Sequence, residues 1–240
     1  NKIRSKEITA SIGLQQKFGK STFNLSGFFQ SAQVINDTGR FIAKRIAPSN
    51  PYIFNINNYI GGSLNYKIAL LNDSIVPTAG FSFTANASHF QNLTQSQSFQ
   101  RYSGIVNFYI PLISKFSLAI RGSGGTVTGN PMFYQLPHLG GADDLRGYRR
   151  ERFWGKTVFA NSNELRFITK LRSYIMNGKI GFTVFYDQGR VWQPSETSDT
   201  WHTDYGAGLL LAPFNKLLAN VAYGISNEKK MIQLRIIKAF

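Results

Sequence analysis

Cysteine is absent from the 240 residues, which removes disulfides, thiol catalysis and cysteine-based metal sites together. Charge is sparse as well: 16% of residues are Asp, Glu, Lys or Arg, with 27 basic side chains against 12 acidic ones. No apolar run approaches the roughly 18 residues that a membrane-spanning helix needs, so the chain is not a helical membrane protein. The chain opens at Asn1 without an initiator Met, a charged n-region or an apolar h-region. Any secretion signal is therefore expected to have been removed or to lie outside this stretch. The three histidines, His89, His138 and His202, have no metal-ligand spacing, and HExxH, P-loop and GxSxG motifs are missing, so no cofactor is expected.

A formal net charge of +15 raises the question of nucleic acid. A nucleic-acid binder concentrates Lys and Arg on one face or tract. Here they are scattered near turns and strand ends, apart from Arg146, Arg149, Arg150 and Arg152. That scatter fits a basic lumen, or basic rims facing anionic lipid headgroups, better than it fits DNA or RNA.

What the chain has in quantity is alternation. In "EITASIGLQ", Ile8, Ala10, Ile12 and Leu14 share one parity, against Glu7, Thr9, Ser11, Gly13 and Gln15 on the other. This period of two is that of a strand with one apolar face. It recurs through Phe23 to Phe29, Ile60 to Ile68, Phe81 to Ala87, Tyr102 to Ile110 and Phe116 to Ile120. Beyond residue 155 it returns in Leu165 and Phe167; in Phe182, Val184 and Tyr186; in Tyr205 to Leu211; in Leu217 to Ile225; and in Ile232 to Phe240. The count is about eleven strands of roughly ten residues, joined by turns such as "FGKS", "LNDS", "PFNK" and "SNEKK".

A soluble sandwich alternates too, but it places Lys and Glu on its outer parity and Val, Ile and Leu inside. Here the polar parity is Ser, Thr, Asn, Gln and Gly, and aromatics recur near strand ends. That pattern predicts an all-β fold: an antiparallel transmembrane β-barrel of the outer-membrane type, with lipid outside and a wet lumen inside. The whole chain, 1–240, reads as one such domain. Its final stretch, "MIQLRIIKAF", resembles the C-terminal recognition signal of bacterial outer-membrane barrels, with Phe240 as the terminal aromatic.

One segment stands apart. "LPHLGGADDLRGYRRERFWG" sits in a long connection, residues 127–155, in a chain whose other joints are mostly short. Gly140, Gly141 and Gly147 permit tight turns. An exposed basic loop is one reading; a connection of that length is otherwise functional. The preceding "GSGGTVTG" reads as flexibility at a strand end.

"LGGADDLRGY" resembles the loop-six motif of the bacterial surface antigen superfamily, the barrels of BamA-like and TamA-like outer-membrane assembly factors and of two-partner secretion transporters. The core of the motif is matched by Leu145, Arg146, Gly147 and Tyr148, and its partners by Glu164 in "NELRF" and by Asp187 with Gly189 in "FYDQG". The resemblance covers at least residues 116 to 240. It implies that the loop folds into the lumen and that Arg146 is latched between Glu164 and Asp187, whose parity points inward. An unpaired guanidinium there is costly, whereas a planar fork between carboxylates makes charge-assisted, bidentate bonds. Arg149, Arg150 and Arg152 are expected to line the lumen beside it or to reach other wall groups.

By resemblance, the chain is expected to be a non-enzymatic protein of the outer membrane of a diderm bacterium, inserting or translocating β-rich client proteins. Its partners would be outer-membrane lipids, unfolded clients, and accessory lipoproteins or upstream periplasmic domains. The alternative is a barrel that anchors or exports an upstream patatin-like or phosphoesterase domain. Glu164 and Asp187 are not expected to act as an acid/base pair, because carboxylates beside an obligate cation are poor proton donors. Family barrels have about sixteen strands, and an odd count cannot close the usual bacterial barrel. The chain is therefore expected to be part of a longer polypeptide; strands from another chain, or a count wrong by one, are the other options.

Overall fold

The structure is a computed structural model, and it describes residues 4–36, 54–172, 174, 176–193 and 199–238. Eleven strands follow one another in a single sheet in chain order, apart from a two-strand excursion. They are β1 (Ser5–Phe18), β2 (Ser21–Val34), β3 (Asn57–Leu71), β4 (Gly80–Asn92), β5 (Ser98–Pro111), β6 (Phe116–Gly129), β9 (Thr157–Arg172), β10 (Asn177–Trp192), β11 (His202–Pro213), β12 (Leu217–Ser226) and β13 (Lys230–Lys238). The excursion between β6 and β9 holds β7 (His138–Leu139) and β8 (Phe153–Trp154), paired antiparallel. No helix among the described residues is long and apolar enough to cross a membrane.

Most strands are longer than the roughly ten residues expected, β12 and β13 excepted. β9 and β10 run to 16 residues each and β1 to 14. About 9–11 tilted residues cross a bilayer, so these strands extend past the hydrocarbon. The glycine-rich "GSGGTVTG" belongs to β6 up to Gly129 rather than to flexible loop. The long connection accordingly starts at residue 130 instead of 127. It is also not irregular throughout, because a 3-10 turn (Phe133–Gln135) and the β7–β8 pair give it internal structure.

Alternation sorts the side chains as the pattern requires. Along β10, Phe182, Val184 and Tyr186 are exposed, while Thr183, Phe185 and Asp187 are buried on the opposite, inner face. The same division holds on β11, with Tyr205 and Leu209 out and Asp204 and Leu210 in. An outward face of exposed large apolar residues is stable only against an apolar solvent, which hydrocarbon supplies. Phe240 lies outside the described residues.

The chain divides into two compact units. The first comprises residues 1–66, 85–102 and 126–136. Its core is Ala32, Tyr59, Phe99 and Val127, with Phe90, Tyr134 and Leu136 against it. Phe90 and Phe99 stack with ring centroids 4.5 Å apart. In this unit all fourteen residues of β1 are exposed, including Ile8, Ile12 and Leu14.

The second unit comprises residues 67–84, 103–125 and 137–240. It holds two apolar clusters. One joins Leu139, Leu145, Tyr148, Val158 and Ala160, and so seats the loop on β9. The other gathers Ile75 and Val76 with Ile168, Leu210, Ala212 and Leu218.

Candidate functional site

The register of the strands builds the site. Asp187 on β10 stands opposite Ser162 on β9 and opposite Asp204 on β11. Glu164 lies two residues along β9 from Ser162, so all four side chains share the inner face. Three carboxylates and a hydroxyl thus occupy one patch of wall, a costly arrangement unless a cation enters it.

Arg146 is that cation. Its Nε donates to Asp187 Oδ2 at 2.8 Å and its Nη2 to Asp187 Oδ1 at 2.8 Å, a two-pronged pairing. Nη1 donates to Glu164 Oε2 at 2.9 Å, and Nη2 also donates to Ser162 Oγ at 2.8 Å. The backbone N–H of Arg146 adds a bond to Asp187 Oδ2 at 3.3 Å. The guanidinium lies 3.5 Å from the ring centroid of Phe185, a cation–π stack in a desolvated place. Arg146 is 7% exposed and Asp187 0%. Burial works against the charge on Arg146, but Asp187 and Glu164 more than offset it and keep the guanidinium firmly protonated.

The partners are themselves supported. Ser162 Oγ donates to Asp187 Oδ1 at 2.5 Å, and Arg166 Nε donates to Glu164 Oε1 at 3.0 Å. Glu164 therefore bridges two arginines, whereas among the described residues Asp187 is paired with Arg146 alone. Asp204 is buried beside Asp187, between β10 and β12 in the ladder.

The glycines have different tasks. Gly140 (φ 114°) and Gly141 (φ 106°) occupy backbone conformations that L side chains avoid, so they shape the turn. Gly147 has no such conformation; its role is close approach, because a Cβ there would stand 2.6 Å from Asp204 Cβ. Gly224 on β12 mirrors it from the wall, where a Cβ would meet Arg146 C and Gly147 N at 2.7 Å. Gly189 leaves room for Leu139, whose Cδ1 would lie 2.9 Å from an added Cβ. Leu145 is fully buried in the cluster with Leu139 and Tyr148.

Tyr148 extends the docking toward β11 and β12. Its hydroxyl donates to Asn227 Oδ1 at 2.7 Å and approaches Thr203 O at 3.3 Å. Ser226 Oγ donates to Gly147 O at 2.9 Å, and Gln233 Nε2 to Tyr148 O at 3.0 Å. Burial raises the pKa of the Asp144 carboxyl, and Arg121 and a 3.1 Å bond from Ser123 Oγ pull it back only in part.

The other arginines of the cluster divide. Arg152 reaches the exposed turn between β12 and β13 instead of the wall, making a two-pronged bond with Glu228 at 2.8 and 2.9 Å. Arg149 and Arg150 are exposed, and Arg150 pairs with neighbouring Glu151 at 3.5 Å. In the first unit, the beginning of the connection is held separately. Arg101 Nη2 donates to Gln135 O at 2.6 Å, and the Tyr59 and Tyr134 hydroxyls meet at 3.3 Å. His202 stacks on Phe153 at 3.6 Å, and no metal-binding cluster occurs among the described residues.

Sequence reasoning passed over Ser162, Phe185, Asp204 and Gly224. Phe185 carried a signal: it is an aromatic on the polar parity of β10, out of place unless something charged lies on it. Ser162 and Gly224 carried none, since a serine or glycine on an inner parity is ordinary.

No curated protein matches the chain by sequence. Among solved structures, the crystal structure of BamA from Haemophilus ducreyi lacking POTRA domains 1-3 shares its fold, at 19% identity and a TM-score of 0.74. The match covers 98% of this chain and 54% of that one, so the chain spans about half the length of its structural relative. The Omp85 superfamily domain model matches residues 1–236. A polar inner face, a lipid-facing outer face and a family domain over nearly the whole length make this an outer-membrane β-barrel chain that belongs to the Omp85 superfamily.

Proposed function

We propose that the protein containing this chain inserts or translocates β-rich polypeptides at the outer membrane, and that the 130–156 loop is latched inside the barrel to make this possible. The observation that carries the reading is the set of bonds from Arg146 to Asp187, Glu164 and Ser162 within an Omp85 superfamily domain. A loop tied to three consecutive strands holds the inner wall of β9 to β11 in one shape without spending the outer face, which stays free for lipid.

The clients' entry point in this reading is a strand edge. That edge belongs to the seam of the complete barrel, where backbone donors and acceptors stand outside the ladder. Such an edge is a template for an incoming strand. Clients are then unfolded outer-membrane β-proteins, and accessory lipoproteins or periplasmic domains deliver them. The chemistry needed is backbone pairing and lipid exclusion, so the barrel acts without catalysis.

The test is reconstitution of the full-length natural protein in liposomes, followed by appearance of a compact, heat-shifted barrel client on gels. Folding of the client faster than in empty liposomes, and slowed when Arg146→Ala is used, is the expected result. Equal rates with and without the protein would refute the reading.

A further inference from the structure

The turn joining β3 and β4, "LLNDSIVPTAG", departs from the other short turns of the sheet. In sheet order β3 and β4 neighbour β2 and β5, and β5 and β6 separate them from β9. Yet Ile75 and Val76, at the tip of this turn, are 5% and 1% exposed in a cluster with Ile168 of β9, Leu210 and Ala212 of β11, and Leu218 of β12; Ile237 of β13 packs against it. On β10, Lys179 pairs with Asp73. A turn can meet five strands that are not its neighbours only by leaving the line of the sheet and lying across its inner face. At that end the inner parity is also unusual: Ile168, Leu210, Ala212, Leu218 and Ile237 are apolar, where Glu164, Asp204 and Gln233 stand farther along the same strands.

The turn is built to hold that position. Asp73 Oδ1 accepts from the N–H groups of Ile75 at 2.9 Å and Val76 at 2.8 Å, which fixes the tip. Asn72 Oδ1 accepts from Thr78 and Ala79 at 3.0 and 3.1 Å, which closes the neck. Gly80 takes φ 110° where the chain re-enters β4. A cavity of about 170 Å³ lies behind the turn, bounded by Ile75 and Pro77 on one side and by Arg146 and Glu164 on the other. This end of the sheet carries the short joints 19–20, 112–115 and 214–216, which is the periplasmic end of an outer-membrane barrel.

We propose that residues 72–79 form an apolar stopper that seals the periplasmic mouth of this barrel, separate from the loop that occupies the other end, and that the Asp73–Lys179 pair is its fastener. The stopper depends on the barrel fold, and stands whichever cargo the barrel carries. It is a small hairpin turn with two aliphatic anchors and one ion pair. Lifting it exposes the two anchors and leaves the strands in place.

The experiment uses the full-length natural protein in planar bilayers. Arg146→Ala loosens the loop end; adding Ile75→Ser with Val76→Ser removes both anchors of the stopper. Loss of two buried aliphatic anchors shifts the open-to-closed ratio by on the order of a hundredfold. The combined variant is expected to hold a large, steady conductance that Arg146→Ala shows only in brief openings. Conductance equal to that of Arg146→Ala alone overturns the seal. As a second measurement independent of folding losses, Val76→Cys with Leu218→Cys is introduced, because these 240 residues contain no cysteine. Oxidation is expected to link the pair in the membrane and to hold the Arg146→Ala channel shut until reductant is added. Failure of a folded barrel to form the link overturns the seating of the turn.

Discussion

Replacing Arg146 with Ala is the sharpest test of how the loop is held. The substitution removes four side-chain hydrogen bonds, at 2.8 to 2.9 Å, and the stack on Phe185. It also leaves Asp187, which is wholly buried, without a cation, while Glu164 keeps Arg166. Breaking a buried ion pair from one side costs about 3–5 kcal/mol, because the remaining charge is stranded. Since one of the two carboxylates stays paired, the lower end applies, about 3 kcal/mol, or on the order of a hundredfold in the ratio of docked to undocked loop. Hydrogen exchange in detergent or nanodiscs reads this directly at the amides of Tyr148 and Arg152, which are bonded to Leu145 O and Leu139 O. Their exchange is expected to accelerate by about that factor, while the β10 and β11 amides stay protected. Arg146→Lys should fall between, because an ammonium keeps the charge and loses the planar two-pronged pairing. Unchanged exchange at residues 145–152 in Arg146→Ala would mean that apolar packing of Leu139, Leu145 and Tyr148 holds the loop and that the ion pairs are incidental.

Further outcomes follow from the same contacts. Gly224→Ala places a Cβ 2.7 Å from the loop backbone, and neither side is a flexible tip. It should lift the loop at a cost of about 1–3 kcal/mol, visible as the same faster exchange with all Arg146 partners intact. Tyr148→Phe deletes the 2.7 Å bond to Asn227 and should cost about 1 kcal/mol in a thermal or denaturant unfolding series, far less than Arg146→Ala. Arg152→Ala breaks a pair whose members are 47% and 34% exposed, so a change of no more than about 1 kcal/mol is expected, shrinking further in high salt. Burial alone would raise the Asp73 carboxyl; Lys179 and the Val76 and Ile75 amides outweigh it and hold it below its ordinary value of 3.8. A depressed folded pKa stabilises the turn above pH 3.8 and loses that contribution as pH falls through the depressed value. Protease cleavage in the 72–79 turn should therefore rise on acidification in the wild type and show no such step in Asp73→Asn.

Alternation alone determined most of the architecture. Residues such as Phe182, Val184 and Tyr186 face lipid, and Thr183 and Asp187 face inward, because a strand has a period of two and hydrocarbon admits one parity. The inward placement of Glu164 was legible in the same way. The meeting of Arg146 with both carboxylates was legible only through a resemblance, since the loop and its partners are separated by 18 and 41 positions. Tertiary structure alone decided the rest. Asp204 joins the patch because the β10–β11 register sets it opposite Asp187, and register is a property of pairs of strands. Gly147 and Gly224 are required because two backbones pass within a methyl group of each other, a distance that no local pattern encodes. "LNDS" is an ordinary turn in sequence, and nothing in it says that Ile75 and Val76 will leave the sheet to be buried against β9, β11, β12 and β13. Which face a side chain takes is written in its neighbours along the chain; which surfaces then meet depends on how the strands are ordered and curved in space.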